Sequence, residues 1–136
     1  MKTLFVTVGS TRFDGLIESV LTSTFSYFAH TSGFTHLVIQ YGASPLPPIP
    51  PVCKHQLTLD LFDYGMDISD NIREADLVIG HAGAGTLLEC MRAHKPVIAV
   101  INDALMDDHQ SELAWALHRQ GHIQAMSIGD WRQMIA

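Results

Sequence analysis

The sequence has no cluster of lysine and arginine, and its 8 basic residues are outnumbered by 14 acidic ones, for a net charge of −6. That argues against nucleic-acid binding, which needs a concentrated positive footprint on the phosphate backbone. Charge of either sign is scarce as well: charged residues make up 16% of the chain, where about a quarter is usual. Either a large buried fraction or an apolar face covered by a partner produces such a shortage. Only two cysteines are present, Cys53 and Cys90, and their spacing fits neither a zinc site nor a redox pair. Cys90 falls in a predicted buried helix and reads as a small core residue rather than a nucleophile. No apolar run approaches the roughly 18 residues that a membrane-spanning helix requires. The N-terminus, MKTLFVTVGS, begins like a signal peptide but breaks at Gly9, Ser10, Thr11 and Arg12, and so reads as the first strand of a cytosolic protein. Three nucleotide or hydrolase signatures are also missing. The first strand lacks G-x-G-x-x-G, no Gly-Lys-Ser/Thr closes a P-loop, and Ser10 has no nucleophile-elbow context.

What is present is a chain of 136 residues, 47% hydrophobic, sized for a single folded domain. Residues 3–8 are β-rich with little alternation, as in a parallel strand covered on both faces. Leu16, Ile17, Val20, Leu21 and Phe25 recur at helical spacing and predict one helix over 14–29. Residues 36–41 predict a second strand, and the proline-rich run 45–51 predicts an exposed extended loop. A peptide-recognition role for that run is the less economical reading. Further strands are predicted at 57–62, 76–79 and 96–101, with a short one at 122–125. Helices are predicted at 67–74, 86–92 and 108–119, and residues 131–136 look like a helix just beginning, which leaves the last sheet-covering element open. The alternation implies an α/β fold, a Rossmann-like open parallel sheet with helices on both faces.

Two strand-to-loop junctions carry the candidate chemistry. The first is His81-Ala82-Gly83-Ala84-Gly85-Thr86. Gly83 and Gly85 remove side chains where a ligand would meet Cβ atoms, and the helix that follows offers free N–H groups to a phosphate or diphosphate. Thr86 and Glu89 have capping-box spacing, with Thr86 as N-cap; the alternative sends the Glu89 carboxylate to the hydroxyls of a ribose. His81 is either a hydrogen-bonded loop residue or a donor to a phosphate or sugar oxygen. The second junction groups Asn102, Asp103, Asp107, Asp108, His109 and Gln110 after the 96–101 strand, where open α/β sheets bind ligands. A metal is the minor reading there, because the coordinating residues are adjacent in sequence and Asp108 suits a helix cap. His109 and Gln110 suit sugar hydroxyls.

In matching order, several segments closely resemble the Alg13 family. They are Phe5–Thr11 with Phe13, Asp14, Leu16 and Ile17, then Asp76–Thr86, the Lys95-Pro96 pair, and Asn102–Gln110. The resemblance implies the C-terminal, donor-binding half of a GT-B glycosyltransferase such as MurG. It implies an inverting transferase that adds the second N-acetylglucosamine, β1,4-linked, to dolichyl-diphosphate N-acetylglucosamine early in N-glycan precursor synthesis. UDP-N-acetylglucosamine is then the donor substrate, with no cofactor and no metal. A membrane-anchored Alg14-like subunit supplies the other half of the cleft and recruits this chain to the cytosolic face of the endoplasmic reticulum. On the same basis His81 and Glu89 are the candidate catalytic residues, with His81 better suited to the phosphate than to base duty. Gly83, Ala84, Gly85 and Thr86 cradle the diphosphate and Glu89 meets the ribose. Gly9, Ser10 and Thr11 face the cleft, while Asn102, His109 and Gln110 line the sugar end. The chain departs from the family at Gly80, where serine is common, and at Glu89, where some members carry aspartate. Its ending at Ala136 implies a single domain without the usual C-terminal helical extension. The competing readings are a hydrolytic or non-catalytic nucleotide-sugar-binding protein, and a transferase of the same fold with another acceptor.

Overall fold

In the computed structural model the described residues are 1–64, 67–102 and 109–136, with the side chains of 109 and 110 set aside. The chain runs β1 (Thr3–Thr7), α1 (Asp14–Val20), α2 (Ser23–Thr31), β2 (His36–Gln40), α3 (Pro51–Gln56), β3 (Thr58–Phe62), α4 (Ser69–Glu74), β4 (Leu77–His81), α5 (Ala84–Arg92), β5 (Val97–Ile101), α6 (His109–Arg119), β6 (Gln124–Ser127) and α7 (Ile128–Ile135). The six strands form one sheet in the order β3-β2-β1-β4-β5-β6, and every neighbouring pair is parallel. Thus the predicted α/β fold, an open parallel sheet with helices on both faces, is the fold observed.

Burial on both faces explains the near-continuous apolar strands. In β1, Leu4 and Val6 point into one layer with Leu16, Ile17 and Val20 of α1, Phe25 of α2 and Trp131 of α7. Phe5 points the other way, to join Ile72 of α4, Leu87 and Cys90 of α5, and Ala114 and Leu117 of α6.

Three expectations are corrected. The single helix over 14–29 is two helices, because Thr22 takes extended geometry and caps α2, its side chain accepting the Phe25 N–H at 3.1 Å. The proline run is extended only as far as Pro50; Pro51 opens α3, since a first helical residue needs no free N–H. The C-terminal covering element is α7, which starts at Ile128 with Ser127 as its cap. Fully buried Trp131 anchors it, its ring centroid 5.9 Å from that of Phe25 and its indole N–H donating to Ser19 Oγ at 2.8 Å.

Candidate functional site

β1 and β4 are neighbours, yet the chain leaves them on opposite faces, from β1 into α1 and from β4 into α5. Such divergence opens a crevice above the carboxyl ends of the two strands, the usual ligand position in open α/β sheets. A recess of about 270 Å³ lies there, lined by Gly9, Ser10, Gln40, Tyr64, Asp67, Ile68 and Glu89.

α5 forms one wall. Its N-cap is Gly83, extended at φ −72° and ψ 129°, and no side chain caps it. The first intrahelical bond runs from Leu87 N–H to Gly83 O at 3.1 Å, so the amides of Ala84, Gly85 and Thr86 precede the helical ladder. A Cβ added at Gly85 would meet nothing within 4 Å, so the space beside it is open. This overturns the capping box: Thr86 is the third residue of α5 rather than its N-cap, and Glu89 does not reach back to it. The helix starts early because Gly83 and Ala84 take up the turn that the sequence reading gave to Thr86. Glu89 instead accepts a hydrogen bond from the Ser69 hydroxyl at the start of α4. Ser69 N–H also donates to Asp67 Oδ1 at 2.9 Å, and these Ser69 contacts, with the Arg73 charge adding, hold the Asp67 carboxyl below its usual range.

His81 ends β4 beside two glycines. A Cβ on Gly83 would overlap its Nε2, and one on Gly9 would come within 3.0 Å of its Cε1. Both positions therefore need glycine to leave the imidazole its slot. Burial pushes the His81 pKa down against the opposing Thr7 carbonyl, and its Nδ1 is buried without a hydrogen-bond partner. The ring is thus neutral at neutral pH, with polar capacity unused. Gly80, the departure from the family pattern, would place a Cβ in ordinary contact at 3.5 Å or more, so serine would fit the same backbone. Cys90, completely buried on the inner face of α5, has its thiol pushed up to about 11 by burial and by the Glu89 charge. It is a core residue, as expected.

The predicted residues separate into groups. Gly9, Ser10 and Glu89 share the recess, and His81, Gly83 and Gly9 meet beside it. Thr11 turns its hydroxyl back to Val8 O at 2.7 Å and does not line it. Asn102 borders a different recess of about 480 Å³, with Arg12, Phe13, Asp14, Gly15, Ile128 and Arg132. Asp103, Asp107 and Asp108 lie outside the described residues, and α6 opens at His109. Among the described residues, no group of three or more His, Cys, Asp or Glu is placed to hold a metal ion. Sequence reasoning missed Gln40, Tyr64, Asp67 and Ser69. Only Gln40 gave a signal, as a polar residue closing an otherwise apolar strand.

The family model for the glycosyltransferase family 28 C-terminal domain matches residues 3–127. A Cryptococcus neoformans UDP-N-acetylglucosamine transferase subunit ALG13 is 34% identical over 163 residues, spanning 98% of this chain and 81% of that protein. The chain belongs to the Alg13 branch of glycosyltransferase family 28. Among other relatives, the Mus musculus UDP-N-acetylglucosamine transferase subunit ALG13 is 42% identical over 123 residues, 90% of this chain and 10% of that protein. The chain therefore spans about a tenth of the length of its mouse and human relatives. The solution structure of an ALG13 superposes with a TM-score of 0.67 at 29% identity, covering 93% of this chain and 78% of that one. Acinetobacter baumannii MurG superposes with a TM-score of 0.69 at 18% identity, covering 98% of this chain and 38% of MurG. That last likeness speaks for the fold alone.

Proposed function

We propose that this family 28 domain is the donor-binding, catalytic unit of a transferase that moves N-acetylglucosamine from UDP-N-acetylglucosamine to dolichyl-diphosphate N-acetylglucosamine, forming a β1,4 link with inversion. One observation carries the reading: Glu89 of α5 lines the same recess as Gly9 and Ser10, and no side chain caps the start of that helix. A carboxylate next to free helix amides fits a nucleoside diphosphate, whose ribose hydroxyls donate and whose phosphate oxygens accept. In this reading Glu89 takes the ribose, and the amides of Ala84, Gly85 and Thr86 take the diphosphate. Neutral His81 donates to a phosphate oxygen, His109 and Gln110 serve the sugar, Asn102 stays with the neighbouring recess, and Thr11 shapes the cleft loop from behind.

The acceptor's 4-hydroxyl attacks the anomeric carbon as UDP departs from the opposite side. Negative charge grows on the departing diphosphate, and preorganised amides at the start of α5 meet it without reorganisation. The leaving group is thus stabilised by this chain's own backbone. Among the described residues no helix is long and apolar enough to cross a membrane. A membrane-anchored Alg14-like subunit at the cytosolic face of the endoplasmic reticulum presents the lipid-linked acceptor. Reactant positioning is worth about 7–11 kcal/mol in favourable cases, so the isolated chain should bind donor yet transfer nothing. The test mixes purified chain with membranes carrying the partner and follows transfer to dolichyl-diphosphate N-acetylglucosamine. Activity that requires both components supports the proposal. Transfer by the chain alone, or UDP-sugar hydrolysis without transfer, refutes it.

A further inference from the structure

Gln40 is 2% exposed and closes β2 at the floor of the recess. Its Oε1 accepts from Thr7 Oγ1 at 2.6 Å and from Gly9 N–H at 2.9 Å. Its Nε2 donates to Gly9 O at 2.6 Å and to Asp63 O at 2.6 Å. All four hydrogen-bonding valences of the amide are therefore filled. Because both partners of Nε2 are carbonyls, which only accept, the amide has one workable orientation. A single side chain thus grips Gly9 by both its N–H and its C=O, as a neighbouring strand would, where β1 has ended and regular pairing has stopped.

The gripped loop closes on itself only beyond Gly9, where Thr11 donates from its N–H at 3.3 Å and its hydroxyl at 2.7 Å to Val8 O. Gly9 sits at φ +64°, and the chain beyond it passes close over Gly42, at φ +57°. A Cβ on Gly42 would come within 2.8 Å of Gly9 O. The other arm of the amide holds Asp63, which leads into Tyr64 on the far wall of the recess.

We propose that Gln40 is a positioning residue that fixes the distance between the Gly9–Ser10 wall and the Asp63–Tyr64 wall, and so sets the affinity of the recess for the nucleoside diphosphate. The inference rests on the donor-binding reading, but the clamp is measurable without a ligand. Glutamine is required because it alone combines two donors and two acceptors at this reach. Glutamate would set a carboxylate against two carbonyl oxygens, and methionine would fill the volume while offering neither donor.

The test uses the Gln40→Met variant of the full chain, with UDP as the probe. Folding is verified by thermal melting, Gly9 amide exchange is read by NMR, and UDP affinity is measured by calorimetry and expressed per folded protein. The clamp predicts Gly9 exchange faster by about tenfold and UDP binding weaker by about tenfold, the combined worth of the bonds lost at Gly9. Unchanged affinity in a folded, merely less stable variant overturns the proposal. If Gln40→Met does not fold, Thr7→Val removes the hydroxyl that donates to Oε1 at 2.6 Å and accepts a long bond from Gly9 N–H at 3.3 Å. A several-fold weakening of UDP binding then supports the positioning role, and wild-type affinity overturns it. If the wild-type protein binds no UDP, the donor reading falls, and protection of the Gly9 amide decides the clamp by itself.

Discussion

Replacing Glu89 by alanine separates a structural role from a ligand role, because the structure removes the reason such a change would unfold the protein. Glu89 is the sixth residue of α5 and caps nothing, so the loss of about 0.5–2 kcal/mol expected for a broken cap does not apply. What the fold loses is the bond from the Ser69 hydroxyl, at a half-buried site. A net 0.5–1.5 kcal/mol is usual for such a bond, and alanine's better helix propensity returns a few tenths. Stability should therefore fall by about 1 kcal/mol or less, roughly 3–4 °C or less in Tm for a domain near this size. Binding should respond far more. A carboxylate receiving ribose hydroxyls makes charge-assisted bonds worth about 1.5–3 kcal/mol, so the UDP dissociation constant should rise by about 10- to 150-fold. Calorimetry at a temperature where the variant is fully folded reads this directly. A variant that melts well below wild type yet binds UDP with unchanged affinity would refute the reasoning, returning Glu89 to a purely structural role.

Trp131→Ala should cost about 3–5 kcal/mol, since it empties a fully buried site and removes the indole bond to Ser19 Oγ; chemical denaturation checks it. Gly42→Ala should destabilise by about 1–3 kcal/mol, because the residue sits at φ +57° and its Cβ would come within 2.6 Å of Thr11 O. Denaturation with and without UDP should show affinity falling too, as the loop against Gly42 is displaced. The depressed His81 pKa makes the unfolded state bind a proton first as pH drops. Its contribution is therefore complete above about pH 6.5 and is lost as pH falls below it. His81→Asn should flatten the Tm profile between about pH 7 and pH 5, and an unaltered profile would contradict this linkage.

Much of the fold was legible because parallel strands covered on both faces declare themselves as apolar runs, as in residues 3–8 and 96–101. Boundaries failed where one residue switched the backbone. Thr22 kept its side chain for a cap and cut a continuous helical pattern in two, while Pro51 turned a proline-rich loop into a helix start. The glycine turn after β4 was legible as a turn, and the structure brings His81 and Gly83 into contact there. The Thr86–Glu89 spacing misled, since the same four residues fit a capping box or the first two turns of a helix begun earlier. Ser69 was invisible, and Gln40 showed only its polarity, for another reason. Their partners, Gly9 and Glu89, are distant in sequence, and only the β1-β2 pairing and the α4–α5 packing bring them close.

The proposed function stands or falls on whether a nucleoside diphosphate sugar sits between the Gly9 loop and the start of α5. Titrating UDP-N-acetylglucosamine into the isotope-labelled chain and following backbone amides tests this most directly. Saturable shifts should concentrate at Gly9, Ser10, Ala84, Gly85, Thr86 and Glu89, with UDP alone reproducing most of them. Shifts confined to the recess bordered by Arg12, Asn102 and Arg132, or no saturable shift at millimolar donor, would contradict it.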